Sequence, residues 1–231
     1  MFRRLSLVAT VFGLLAFTPQ SRAAPEPALM CWRAPVLYTL GEHRVAFRIY
    51  LACAIAGDSE AQYSAAMMMR SGESNEDGSP NPFGARVFLE QSASQGYAQA
   101  IYTLAREYEL GSSAFERDMA FSTELFRAAA LLGHVDAQVD LGTQYLLGRG
   151  GVRQDDGAAA HWYERAAGAG HWGAQFLIAS MYEHGNGVSR DEQLALRWYE
   201  RARQGGDEVA PLKVEELRLR LATKARQLRF D

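Results

Sequence analysis

The sequence predicts an all-α fold, an α-solenoid of antiparallel helix pairs closed by a C-terminal capping helix. Five times along the chain, a glycine is followed four residues later by an alanine that opens an apolar helical pattern. The alanines are Ala61, Ala100, Ala137, Ala174 and Ala210, and the steps between them are 39, 37, 37 and 36 residues. Repetition at this period is typical of an array of helix pairs. Such arrays generally present a binding surface, so the first functional question is what the chain binds.

The first helix of each repeat is defined by apolar residues at fixed positions after the alanine, which we number zero. Position 4 is Ala65, Leu104, Leu141 and Ile178, position 8 is Met69, Tyr108, Tyr145 and Tyr182, and position 11 is Gly72, Gly111, Gly148 and Gly185. Residues at 0, 4 and 8 share one face of a helix, and a glycine after them is typical of a helix C-cap.

The second helix of each repeat begins at a residue that can cap free backbone amides. These residues are Asn81, Asp118, Asp155 and Asp191, each followed four residues later by Ala85, Ser122, Ala159 or Ala195. A bulky pair comes three residues further on, as in Trp198-Tyr199. Small residues facing large ones at a fixed register indicate two helices that approach closely.

The two later repeats carry a specific motif. In order it is Ala174-Gln175, Met181-Tyr182, Gly185-Asn186-Gly187-Val188, Asp191, Ala195, Trp198-Tyr199-Glu200-Arg201-Ala202 and Gly205, with nearly the same string in residues 137–170. This pattern resembles the Sel1-like repeat family, a relative of the tetratricopeptide repeats. The resemblance implies a right-handed solenoid. The two earlier copies depart from the pattern, with Leu125-Phe126 in place of the Trp-Tyr pair and a polar loop at 71–82.

The resemblance covers about 165 of the 231 residues and gives the domain boundaries that we expect. After an N-terminal segment, 24–41, the array occupies 42–206. It comprises a half repeat at 42–57 and full repeats at about 58–96, 97–133, 134–170 and 171–206. Residues 207–231 are expected to form the capping helix, with Val214, Leu217, Leu221, Ala225 and Leu228 on one face. A partner-binding tail is the alternative for this last segment.

The first 23 residues have the features of a secretory signal. Arg3-Arg4 precedes a run of 13 mostly apolar residues, and small residues at −3 and −1 predict cleavage after Ala23. The run is shorter than the ~20 residues of a membrane span, and an anchor is the alternative. Cleavage leaves 21 basic and 27 acidic residues, a net charge of −6. We therefore expect a periplasmic or secreted protein with no integral membrane span in the mature chain and no nucleic-acid partner.

The two cysteines, Cys31 and Cys53, predict one disulfide, because an even count behind a secretory signal favours bonding. Cys53 occupies a slot that holds Ser92, Ala129, Ala166 and Ala202 in other repeats. The bond is expected to pin the irregular segment around Cys31 over the first helix. Two free buried thiols are the alternative.

No pattern in the chain indicates catalysis, and we expect no metal and no cofactor. His134 and His171 follow repeat glycines where Asp58 and Asp207 also occur, so they are interpreted as helix-start residues. Gly185-Asn186-Gly187 lacks the third glycine of a dinucleotide loop. No serine precedes a lysine by three residues, as the serine motif of β-lactamases requires.

The resemblance implies a non-enzymatic, exported scaffold or adaptor that binds a periplasmic or envelope protein, with no small-molecule substrate. One alternative is a hydrolase acting on β-lactam or cell-wall substrates, since some cysteine-rich Sel1-like proteins have been described as β-lactamases. Those proteins carry paired cysteines within their repeats, which this chain lacks. A secreted host-interaction factor is the other alternative.

The predicted binding surface lies on the first helices, which line the concave groove of related helix-pair arrays. Positions 2, 6 and 9 are expected to point into the groove, because 0, 4 and 8 pack inward. The candidate groove residues are Tyr63, Met67, Arg70, Tyr102, Arg106, Thr143, Phe176, Ser180 and Glu183. Aromatic residues beside arginine are typical of binding hot spots. The alternative is that position 2 is partly buried between neighbouring helices.

Overall fold

The computed structural model describes residues 30–227, which form eleven helices and contain no strand. The helices are α1 (Arg33–Thr39), α2 (His43–Ile55), α3 (Ser59–Ser71), α4 (Pro82–Ser94), α5 (Ala98–Leu110), α6 (Met119–Leu131), α7 (Val135–Leu147), α8 (Asp156–Gly168), α9 (Trp172–His184), α10 (Glu192–Gln204) and α11 (Ala210–Gln227). The predicted all-α class is confirmed. The predicted secretory signal, 1–23, and Leu228 of the capping helix lie outside the described residues.

The chain divides into two compact units between Leu132 and Gly133. The N-terminal unit comprises α1–α6 and the C-terminal unit comprises α7–α11. Within each unit, every helix packs against the next one in sequence. The nine helices from α2 to α10 each have 13 residues, which shows how regularly the repeat is built.

Side-chain caps begin the helices where the sequence predicted them. The Oδ1 atoms of Asn81, Asp118, Asp155 and Asp191 accept hydrogen bonds from backbone amides in the first turns of α4, α6, α8 and α10. The Nδ1 atoms of His134 and His171 do the same for α7 and α9, at 3.2 and 3.0 Å. The interpretation of these histidines as helix-start residues is confirmed.

The core lies along the predicted stripe. All five repeat alanines at position zero and all four residues at position 4 are buried. At position 8, Tyr108 is buried, whereas Met69, Tyr145 and Tyr182 are half-buried. Close packing of α7 on α8 depends on Gly142, because a Cβ atom there would lie 2.8 Å from the ring of Tyr163. A larger residue at 142 would force these two helices apart.

Two features of the fold were not predicted. The segment after Cys31, expected to be irregular, forms the short helix α1, in which Pro35 occupies the first turn that tolerates proline. Glutamines directly after the repeat alanines are buried. The amides of Gln62 and Gln175 donate to the backbone oxygens of Ala54 and Ala167, each at 3.1 Å, and so join each first helix to the helix before it.

Candidate partner-binding surface

The predicted groove residues of the N-terminal unit lie on α3 and α5, which are joined at both ends. The ring of Tyr63 lies 5.5 Å from that of Tyr97, which begins α5. Further along, Arg70 Nη1 lies 2.9 Å from Glu107 Oε1. This ring contact and this ion pair link the two helices, and we call the surface carrying Tyr63, Met67, Arg70, Tyr102 and Arg106 the α3–α5 face.

Side chains on this face are half-buried and keep part of their surface open to solvent. Tyr63, Met67, Tyr102 and Arg106 all belong to this class, and Arg70 is exposed. Arg106 pairs with Glu109 of its own helix at 2.6 Å, yet 42 % of its side chain stays accessible. Tyr102 tilts against Phe126 of α6, with ring centroids 5.8 Å apart. The rings are thus fixed by packing while their outer edges remain available.

One end of this face opens into a cavity of about 320 Å³, which we call the tyrosine cavity. Helices α1, α2 and α3 and the loop after α3 each contribute to its lining. The lining residues are Tyr38, Tyr50, Tyr63, Ser64, Met67, Met68, Ser71 and Glu73. Tyr63 and Met67 were predicted groove residues, and the other six were not.

The Cys31–Cys53 disulfide is present, as predicted, and it positions one wall of the tyrosine cavity. Cys53 is buried in a small cluster with Ala61 and Ala65, and Cys31 packs against the same cluster. Because α1 begins two residues after Cys31, the bond fixes this short helix beside α2. Tyr38, on the last turn of α1, is thereby brought to the cavity.

Glu73 is the charged residue of the tyrosine cavity. Tyr38 Oη donates to its Oε1 at 3.3 Å, and His43 Nδ1 lies 3.6 Å from its Oε2. Its side chain is 29 % exposed. Gly72, with φ of 87°, ends α3 and turns the chain so that Glu73 follows immediately. A residue with a Cβ there would meet the backbone oxygen of Gly78 at 2.0 Å.

Tyr38 and Tyr50 of the cavity have a raised pKa, so they keep their protons at neutral pH. The hydrogen bond to Glu73, together with burial, raises the pKa of Tyr38. Burial also raises the pKa of Tyr50, although a hydrogen bond with Ser64 opposes it. Tyr38 and Tyr50 are therefore neutral phenols beside the carboxyl group of Glu73.

In the C-terminal unit, the equivalent predicted residues are used for internal contacts. Thr143 Oγ1 lies 3.0 Å from Tyr163 Oη on the next helix. Phe176 packs edge-on against Tyr199, with ring centroids 5.1 Å apart. Ser180 is half-buried, and its backbone oxygen lies 2.8 Å from His184 Nδ1. All three residues are half-buried, as Tyr63 and Tyr102 are in the N-terminal unit, and they remain candidate groove residues.

Glu183 departs furthest from the expectation that position 9 points into an open groove. Its side chain is only 2 % exposed. Its Oε2 accepts from Tyr199 Oη at 2.9 Å, and its carboxylate lies 3.5 Å from Lys213 Nζ and 3.1 Å from Arg220 Nη2 on α11. Burial would raise its pKa, but the Tyr199 hydrogen bond and the nearby positive charges outweigh burial and lower it. Glu183 holds the capping helix, and we leave it out of the partner-binding surface.

The sequence analysis did not predict that Glu183 holds α11, because it placed position 9 by the periodicity of the first helices and did not consider the charges on the capping helix. Lys213 and Arg220 are seven residues apart on α11, a spacing that places them on one helix face. Two basic residues on one face of the capping helix could have indicated that this face packs on a buried carboxylate.

The described residues offer no arrangement typical of metal chemistry or membrane insertion. No group of three or more histidine, cysteine, aspartate or glutamate side chains within 30–227 is placed to hold a metal ion. In the same range, no helix combines the length and apolar character needed to span a membrane.

A family model for the Sel1 repeat matches four consecutive segments, 59–97, 98–134, 135–171 and 172–207. The chain belongs to the Sel1 repeat family. Sel1 repeat proteins generally act as protein-interaction scaffolds, and their fold is typically non-enzymatic. No curated protein matches the chain.

Solved structures of Sel1 repeat proteins share the fold. A Sel1 repeat protein from Oxalobacter formigenes is 33 % identical, with a TM-score of 0.71 over 75 % of this chain and 49 % of that one. The protective antigen c5321 of uropathogenic Escherichia coli, which displays an SLR fold, is 29 % identical, with a TM-score of 0.65 over 71 % of this chain and 34 % of that one. The chain therefore spans about half and about a third of these proteins.

Proposed function

We propose that this Sel1 repeat protein is an exported, non-enzymatic scaffold that binds a periplasmic or envelope protein through the α3–α5 face. The observation that carries the proposal is the row of half-buried Tyr63, Met67, Tyr102 and Arg106 on two joined helices. Tyrosine and arginine are enriched among residues that dominate binding energy, and rings held by packing lose little entropy on binding.

Export is supported by the disulfide and by the predicted secretory signal. Disulfides persist in oxidising compartments such as the periplasm and are rare in the cytosol. The Cys31–Cys53 bond holds α1, so an oxidising compartment suits the native fold of the N-terminal unit. The N-terminus of protein purified from a periplasmic fraction tests this directly, and we expect it to begin at Ala24.

The binding surface is tested by capture of partners from an envelope extract with the purified protein. Tyr102→Ala and Arg106→Glu should each lower the recovery of the main partner, by roughly tenfold for a hot-spot residue. Arg197→Glu is the matched control, since it reverses one exposed arginine on α10 of the other unit and should not change recovery.

Circular dichroism spectra of all three variants should match that of the wild type. If Tyr102→Ala and Arg106→Glu keep the fold and recover the same partner at wild-type yield, the α3–α5 face is not the binding site.

A further inference from the structure

We propose that the tyrosine cavity binds a cationic side chain, arginine or lysine, presented by the protein partner. The inference rests on the proposed scaffold function, because the cation belongs to the partner. It assigns a chemical class to what one end of the α3–α5 face recognises.

The walls of the cavity suit a cation. Tyr38, Tyr50 and Tyr63 come from three successive helices and line one space. One face of the Tyr38 ring is stacked on His43 at 4.7 Å, so the cavity is left with its other face and with the rings of Tyr50 and Tyr63. A guanidinium or ammonium group over a tyrosine face is attracted by the negative face of the ring, and the attraction grows as water is excluded. Met67 and Met68 add polarisable apolar surface that suits the methylene stem of such a side chain.

Charge decides between a cationic and an apolar occupant. Glu73 lines the cavity, and none of its eight described lining residues is an arginine or a lysine. The partners of this carboxylate are the Tyr38 hydroxyl on Oε1 and His43 Nδ1, 3.6 Å from Oε2. An apolar side chain would remove the remaining water from it and add no compensating charge, which costs free energy. A guanidinium or ammonium group would compensate the charge as it excludes the water.

The chain itself shows that its aromatic rings accept arginine. Arg86 lies over the ring of Phe115 at 4.8 Å, and Arg201 lies over Trp198 at 4.6 Å. In those pairs the cation comes from within the protein. The tyrosine cavity combines aromatic walls with the Glu73 carboxylate, whose basic neighbour His43 is not one of the lining residues, so no arginine or lysine covers its rings from within the lining.

The size of the cavity agrees with a side chain and its backbone. At about 320 Å³ it lies at the lower end of the roughly 300–1,000 Å³ of small-ligand sites. A single residue of a peptide fits such a space better than a larger cofactor.

The test uses capped tripeptides and protein labelled with ¹³C at the methionine methyl groups. The probes are acetyl-Gly-Arg-Gly-amide and acetyl-Gly-Lys-Gly-amide, compared with the citrulline and leucine analogues. Met67 and Met68 line the cavity, whereas Met119 and Met181 do not, so the chain supplies its own control signals. The cationic peptides should shift the Met67 and Met68 signals with a Kd on the order of millimolar.

Two variants should weaken the binding of the arginine peptide. Glu73→Gln removes the charge at constant shape, and Tyr63→Leu removes one aromatic face; each should raise the Kd about three- to tenfold. Glu76→Gln is the matched control, since Glu76 lies in the same loop, is 89 % exposed and pairs with Arg44 outside the cavity. It should leave the Kd unchanged.

Three results would overturn the proposal. They are shifts by the leucine or citrulline peptide as strong as those by arginine, no shift by either cationic peptide in folded protein, or an unchanged Kd in Glu73→Gln. None of these touches the scaffold function, which is judged by capture of a whole partner. Conversely, if the cationic peptides bind but no partner is captured, the proposal for the cavity is supported and the scaffold function is not.

Discussion

The two units place equivalent residues of the same repeat in opposite roles. In the N-terminal unit, Arg70 at position 9 is exposed on the α3–α5 face. In the C-terminal unit, Glu183 at position 9 is buried against α11, whereas position 2 is half-buried in both units. A repeat position therefore has no fixed function, because its role depends on the side chains that surround it.

The units also close their ends differently. The seven-residue α1 is held beside α2 by the Cys31–Cys53 disulfide and leaves the tyrosine cavity beneath it. The 18-residue α11 covers its unit with buried Val214 and Leu217 and with cations around Glu183. A covalent bond permits a short closing helix with little core, whereas a closing helix without one needs its own buried face.

Removing the disulfide should give the largest effect and should confine it to the N-terminal unit. Closing a loop across 22 residues is worth about 3 kcal/mol in the chain-entropy model, so Cys31→Ser with Cys53→Ser should lower stability by up to that amount. Hydrogen exchange should show that α1 loses protection while α11 does not. If thiol labelling finds two free cysteines in unreduced, denatured wild-type protein, the disulfide is absent, and the proposed difference between the closing helices of the two units is wrong.

Glu183→Ala should destabilise the C-terminal unit by about 1.5–3 kcal/mol, the range for hydrogen bonds to a charged group. Thermal unfolding with hydrogen exchange at α11 measures this. Glu216→Ala is the control, since Glu216 pairs with the same Lys213 and Arg220 but is 52 % exposed, and should cost less than about 0.5 kcal/mol. Equal effects of the two variants would show that α11 is held by surface charge alone.

The same carboxylate predicts a pH dependence. The pKa of Glu183 in the folded protein lies below its ordinary value of 4.5, so its stabilising contribution is complete above pH 4.5. The contribution is lost as the pH falls through the folded-state pKa. The difference in unfolding free energy between wild type and Glu183→Ala should therefore be smaller in acid than at neutral pH.

His134 should give the smallest effect. It caps α7 in the C-terminal unit, whereas Asp58 caps the equivalent repeat helix, α3, in the N-terminal unit. Burial lowers its pKa below 6.5, although Asp136 opposes this. Folding therefore disfavours protonation, and the contribution of the neutral cap, about 1 kcal/mol, is complete above pH 6.5 and declines as the pH falls below it. His134→Asp should keep the cap, as Asp58 does for α3, and reduce the fall in Tm between pH about 7.5 and about 5.5. If the pH dependence of Tm is the same in His134→Asp and wild type, His134 does not contribute to it.

The periodic features of the fold could be predicted because they depend on residues close in sequence. Alanines at position zero and the caps Asp118 and Asp155 act within one helix or across one turn, so their spacing was sufficient. Of the site, Tyr63 and Met67 were found in this way. Tyr38 was not, because it precedes the array, and Glu73 was not, because it lies in the polar loop of the first repeat rather than at a numbered repeat position.

By itself, the sequence determined the helix-pair array, the family and the cysteine pair, since each is written as a repeat, a motif or an even count. The tertiary structure decided that position 9 is exposed at Arg70 and buried at Glu183, and that Tyr38, Tyr50 and Tyr63 line one cavity. Exposure and cavities depend on what packs from distant parts of the chain. In this protein, that is the disulfide-held α1 at one end and α11 at the other.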